Sequence, residues 1–124
     1  MSQDSVADAL NQMMNCTKAG KKVVVVSHHP KLLLSVLAIA KLKGYVKDYK
    51  SIDNTIKIEL AKLNGCKAIK PRFMVQVSEI EKYIKRYLPA KNIGVLVIST
   101  SKGLMTHQTA QKKNIGGSLI AYFF

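Results

Sequence analysis

The chain has 124 residues, 48% of them hydrophobic, with 20 lysines and arginines against 7 aspartates and glutamates, a size that suits one domain or two small subdomains around a real core. The formal net charge of +13 and pI of about 9.9 exceed what solubility asks of a small domain and point to a polyanionic partner. No apolar stretch approaches the roughly 20 residues of a membrane span and no secretory signal opens the sequence, so the expectation is a soluble, cytoplasmic protein with no membrane partner.

Val6, Leu10, Met13 and Met14 recur at helical spacing, which predicts an amphipathic helix from Asp4 to about Thr17, capped by Ser2 or Asp4 and ended before Gly20. The β-branched run Val23–Val26 reads as a buried strand. Pro30 then opens a second helix through about Lys43 with a broad leucine-rich face, and Gly44 fits its C-terminal cap. From Tyr45 the period becomes two, and the Asp53-Asn54 turn makes this a hairpin with Ile56, Ile58 and Leu60 on its buried side. Asn64-Gly65 is a further turn, followed by a short strand from Lys67 to Lys70 that Pro71 interrupts. Ser78 and Glu81 have capping-box spacing for a helix that runs to Tyr87 and stops before Pro89. The chain finishes with a strand Ile93–Ser99, a hydroxyl-rich loop, a short helix from Thr106 to Lys113, the pair Gly116-Gly117 and a last strand Ser118–Phe124. The alternation of helices and strands gives a mixed pattern with no repeat, and the chain divides most naturally near Gly65 to Pro71. The natural division places an N-terminal subdomain at 1–65 and a C-terminal one at 66–124.

Charge is uneven along this plan. The last acid is Glu81, so everything from Lys82 to Phe124 is free of carboxylate side chains while Lys82, Lys85, Arg86, Lys91, Lys102, Lys112 and Lys113 accumulate there. Within this region lies Ser99-Thr100-Ser101-Lys102-Gly103-Leu104-Met105-Thr106. Its short hydroxyl side chains both donate and accept hydrogen bonds and let a backbone come close to a polar partner such as a ribose edge or a phosphate. The flanking lysines add a sequence-independent attraction to a polyanion.

Other chemistries find less support. In Ser27-His28-His29, neighbouring residues of a strand point to opposite faces, and no G-x-S-x-G elbow surrounds the serine. Cys16, Cys66, His28, His29 and His107 lack metal-ligand spacing, and the two cysteines are expected as reduced thiols. Gly20-Lys21-Lys22 lacks the rest of a phosphate-binding P-loop. The five tyrosines form no RNA-recognition string, so packing with an exposed hydroxyl is their expected role. No enzyme activity, metal, cofactor or small-molecule substrate is expected.

The stretch IGVLVISTSKGLMTH and the terminal IGGSLIAYFF are similar to the universal small-subunit ribosomal protein eight family. The likeness extends over nearly the whole chain through DSVADALNQMMN and KGYVKDY, and the segment NGCKAIKPRFMVQVSEIEKYIKRYLPAKNIG resembles the archaeal and eukaryotic branch. The resemblance implies an α+β fold of two small α/β subdomains packed together, with mixed short sheets and flanking helices, and a structural constituent of the small ribosomal subunit that binds a helix of the central domain of small-subunit rRNA and stabilises its fold during assembly and translation, beside neighbouring ribosomal proteins. A general binder of double-stranded nucleic acid outside the ribosome is the alternative. Matched position by position, the RNA-binding residues it implies are Ser99, Thr100, Ser101, Lys102, Gly103, Met105, Thr106, Gly116 and Gly117. Lys112 and Lys113 add electrostatic flanks, and Asn15, Lys18, Lys22 and Lys31 lie in further segments that touch RNA in the family. Two departures stand out. Ser27-His28-His29-Pro30-Lys31 keeps only the lysine of a usual basic pattern, and Thr106-His107-Gln108-Thr109-Ala110 lacks the acid common after the hydroxyl stretch.

Overall fold

The structure, a computed structural model, describes residues 5–27, 31–69, 74–90 and 93–124. Several expected features, namely the Ser2 or Asp4 cap, His28 to Pro30, Lys70-Pro71 and Lys91, lie outside them. The described residues form four α-helices and two sheets, an α+β fold, divided into two compact units, Met1–Lys67 and Ala68–Phe124.

In the first unit, α1 (Ser5–Lys18) and α2 (Lys31–Leu42) accompany a sheet of β1 (Val23–Ser27), β2 (Val46–Ile52) and β3 (Thr55–Leu60) in the order β1-β3-β2. Both strand pairs are antiparallel, with Val24 opposite Ile58 and Val26 opposite Ile56. Periodicity explains the core: Val6, Leu10 and Met13 of α1 and Leu33, Val36, Leu37 and Ala40 of α2 are buried, as are Val24, Val26, Ile56, Ile58 and Leu60 of the sheet. α2 closes as its sequence predicts, with the Tyr45 N–H donating to the Ala40 carbonyl at 2.9 Å and the Gly44 N–H to that of Lys41 at 3.1 Å. The run of four valines, expected as a buried strand, is half-buried. Val23 and Val25 are 42% and 58% exposed, because this antiparallel sheet meets the core with one face only, as the alternation along the central strand β3 also shows.

Cys66 is buried, and its thiol donates to the Leu10 carbonyl at 3.5 Å. Burial pushes this thiol up to about 12, so at neutral pH it holds its proton and is a poor nucleophile. Native protein treated with iodoacetamide at pH 8 is therefore expected to be alkylated at half-buried Cys16 and spared at Cys66, with both modified in urea. A raised thiol pKa favours folding below the ordinary thiol range, and that contribution fades as pH climbs toward about 12.

In the second unit, β6 (Val95–Thr100), β7 (Gly103–Thr106) and β8 (Gly117–Phe123) form the sheet with β4 (Cys66–Ala68) and β5 (Met74–Val75). The order is β4-β8-β6-β7, and β5 also pairs with β8. Ile69, next after β4, donates its N–H to the Ile120 carbonyl at 2.9 Å. α3 (Ile80–Tyr87) and α4 (His107–Lys113) contribute Ile80, Ile84 and Ala110 to a core shared with Leu96, Ile98, Met105 and Leu119. The lead into α3 differs from the expected Ser78–Glu81 box. A 3₁₀ turn over Val77–Glu79 precedes the helix, and the Gln76 N–H donates to Glu79 Oε1 at 2.9 Å. The same carboxylate-to-backbone logic operates two residues earlier, because the turn winds before the α-helix begins. Among the described residues no helix is long and apolar enough to cross a membrane.

Candidate nucleic-acid interface

The hydroxyl stretch is a tight hairpin, where the sequence suggested a loop. β6 runs on through Thr100 and β7 starts at Gly103, so only Ser101 and Lys102 turn the chain. Val97 faces Thr106, Ile98 faces Met105, Ser99 faces Leu104 and Thr100 faces Gly103. Threonine and the Leu104-Met105 alternation suit a pleated surface, which is the strand signal that a reading by polarity overlooked. The Thr100 hydroxyl builds the turn: it donates to the Gly103 carbonyl at 2.8 Å and accepts from the Lys102 N–H at 3.1 Å. Gly103 has φ +107° with no atom within 4 Å of the position a Cβ would take. Backbone conformation, and not crowding, asks for glycine there.

The register sets up a row that the sequence did not reveal. Ser99 pairs with Leu104 on one side and Ser118 on the other, and Ser118 also pairs with Met74. Leu104, Ser99, Ser118 and Met74 therefore lie side by side across four strands on one face. The first three are partly exposed and Met74 is 75% exposed. Two hydroxyls flanked by apolar side chains make a shallow patch at the foot of the turn, beyond which Ser101, Lys102 and Gly103 stand in solvent. Pairing of β5 and β8 across a long sequence gap placed Ser118 and Met74 in the row; no local pattern announces it.

The other expected residues sort by exposure. Met105 and Thr106 are 7% and 4% exposed. Met105 belongs to the core, and the Thr106 hydroxyl caps α4 by accepting from the Thr109 N–H at 3.3 Å. Gly116 and Gly117 make close backbone approaches. A Cβ on Gly116 would collide with the Val75 carbonyl oxygen, and one on Gly117 with that of Ser99, so this pair lets β8 enter between β5 and β6. Lys112 and Lys113 are exposed in the last turn of α4, where cations suit the helix end. Asn15, Lys18, Lys22 and Lys31 are exposed on the first unit.

His107 is a buried component of the same scaffold, 2% exposed. Opposite Leu96 the chain has already left β7 for α4, and the imidazole Nδ1 accepts the Leu96 N–H at 3.1 Å. The side chain thus continues a ladder that the backbone abandons, which requires Nδ1 to be unprotonated. That nitrogen is unavailable as a base for Ser99 or Ser101. Among the described residues no three of His, Cys, Asp and Glu come together as a metal-binding group.

Residues 4–124 match the family model for ribosomal protein S8. The chain belongs to the ribosomal protein S8 family. It is also 44% identical to the small ribosomal subunit protein uS8 of the archaeon Nanoarchaeum equitans (strain Kin4-M), over 129 aligned positions that cover all of both chains. The S8 family is one of structural ribosomal proteins, and this archaeal relative agrees with the branch suggested by the segment from Asn64 to Gly94.

Proposed function

We propose that this S8-family chain works in the cytoplasmic small ribosomal subunit, beside neighbouring ribosomal proteins, by binding a helix of the central domain of small-subunit rRNA and stabilising its fold. The observation that carries the reading is the Leu104–Ser99–Ser118–Met74 row beneath an open Ser101-Lys102-Gly103 turn, of which all but Met74 falls in the stretch free of acidic side chains. A shallow surface of hydroxyls and small apolar groups suits the minor-groove side of an irregular RNA helix. Met105, Thr106, Gly116 and Gly117 serve this surface indirectly, by holding the hairpin in register. Lys102, Lys112 and Lys113 supply phosphate contacts, which position the protein without carrying sequence information. Asn15, Lys18, Lys22 and Lys31 are offered as weaker RNA contacts of the first unit.

The two kinds of contact separate experimentally. Ser101→Ala is expected to lower the preference for a central-domain rRNA fragment over a random-sequence RNA duplex by about three- to tenfold, the worth of one or two hydrogen bonds. Lys112→Ala is expected to weaken both complexes alike and to reduce the salt slope by about 1. Equal wild-type affinity for both RNAs would instead favour a general double-strand binder.

A further inference from the structure

We infer that the exposed side of α3 is a second RNA contact, in which a ladder of aromatic rings holds Lys82 and Arg86 in place as a clamp for the phosphate backbone. The inference rests on the RNA-binding reading above but concerns a surface outside the hairpin. Tyr83, Tyr87, Tyr122 and Phe124 form a continuous stack. Ring centroids are 6.4 Å apart between Tyr83 and Tyr87, 5.4 Å between Tyr87 and Tyr122, and 6.0 Å between Tyr122 and Phe124, with interplanar angles of 15°, 23° and 3°. The three tyrosines pack against the core of the second unit, so the ladder has a rigid base.

Two cations rest on this ladder. The Lys82 ammonium lies 5.6 Å from the Tyr83 ring centroid and the Arg86 guanidinium 5.5 Å from that of Tyr87. Lys82 and Arg86 are four residues apart on one helix, about 6 Å along its axis. Both are exposed, and no carboxylate among the described residues pairs with either. Glu79, one turn before Lys82, has its carboxylate engaged by the Gln76 N–H instead, and among the described residues Glu81 forms no ion pair with either cation.

A guanidinium seated on a ring keeps its N–H fork directed outward, the geometry that takes phosphate oxygens two at a time. Because the rings already hold the side chains, less rotamer freedom is lost on binding than for a free surface lysine. The occupant is a nucleic-acid backbone, since the face combines aromatic support with two cations that no carboxylate among the described residues pairs, and a phosphate chain presents anionic oxygens at the spacing such a pair can take.

The test uses the full chain with two probes, a transcript of archaeal small-subunit rRNA and a random-sequence RNA duplex. The double variant Lys82→Ala/Arg86→Ala should reduce the salt slope on the rRNA by about two while keeping the preference for rRNA over the duplex. Tyr87→Leu retains both charges but removes the ring under Arg86. It should weaken rRNA binding about two- to fivefold, the usual worth of one cation–π contact, and Tyr87→Phe should restore wild-type binding. Unfolding midpoints measured on each variant separate this loss from damage to the core. Wild-type rRNA affinity and salt slope in the double variant would overturn the clamp and leave the hairpin reading standing. Failure of the wild-type chain to bind either RNA would overturn the RNA reading itself, and the clamp with it.

Discussion

Gly117→Ala is expected to destabilise the protein by about 3 kcal/mol, toward the upper end for overpacking a tight site, and to abolish selective RNA binding with it. The added methyl group would meet the Ser99 carbonyl oxygen head-on and sit 2.9 Å from Ile98 Cγ2 and 3.0 Å from the Ser99 carbonyl carbon. Two of these three neighbours are backbone, so relief requires β6 and β8 to separate. They separate where Ser99 faces Ser118, the two hydroxyls at the centre of the candidate surface. Stability and function therefore fail together at this position, in contrast to Ser101→Ala, which leaves the fold alone. Urea unfolding followed by tyrosine fluorescence checks the first effect as a lower midpoint at unchanged slope. Wild-type stability in Gly117→Ala would show that β8 has room the structure does not give it.

His107→Leu is expected to cost about 2 kcal/mol, because it leaves the buried Leu96 N–H without an acceptor, a loss of roughly 1–3 kcal/mol. The imidazole is 2% exposed and its Nδ1 lies 3.1 Å from that N–H, so water has little access to replace it. His107→Asn, whose side-chain oxygen falls near the same place, should recover part of the loss. Amide hydrogen exchange at Leu96 reads the effect directly: faster exchange in His107→Leu than in the parent, and an intermediate rate in His107→Asn. Identical exchange in all three would mean that the imidazole is not the acceptor that protects this amide.

Local periodicity carried most of the fold. α1, α2, the β2–β3 hairpin and α3 follow from apolar spacing and from short-range signals such as Gly44 and Asp53-Asn54, because each is decided within a few residues. What was missed turned on sheet faces and strand pairing. Val23 and Val25 look like core residues and are half-open because their sheet meets the core with one face only. The hydroxyl stretch looks like a loop by polarity and is a hairpin, because Gly103–Thr106 pairs back onto β6 across the turn Ser101-Lys102. The candidate surface shows the same split. Ser99, Ser101 and Lys102 were visible as chemistry in the sequence, whereas Ser118 and Met74 join them only through the register of β8 with β5 and β6. Thr106 and Met105, which polarity and family likeness placed with the contacts, are a helix cap and a core side chain.

The departures from the family pattern gain a partial physical account. At the start of α4, where the family likeness led one to expect an acid, position 107 is an imidazole whose acceptor nitrogen completes a strand. With Thr106 capping the helix, α4 needs no carboxylate at its N-terminus, and the basic surface keeps its full charge.

Crosslinking tests the central claim most directly. A photoreactive group placed at Ser101 of the full-length chain, irradiated in the presence of complete small-subunit rRNA and mapped by sequencing, is expected to mark one cluster of nucleotides in a single helix of the central domain, and Gly117→Ala in the same chain should erase that cluster. Crosslinks scattered over many helices, or an identical pattern in Gly117→Ala, would contradict the account of the hairpin as the surface that reads RNA shape.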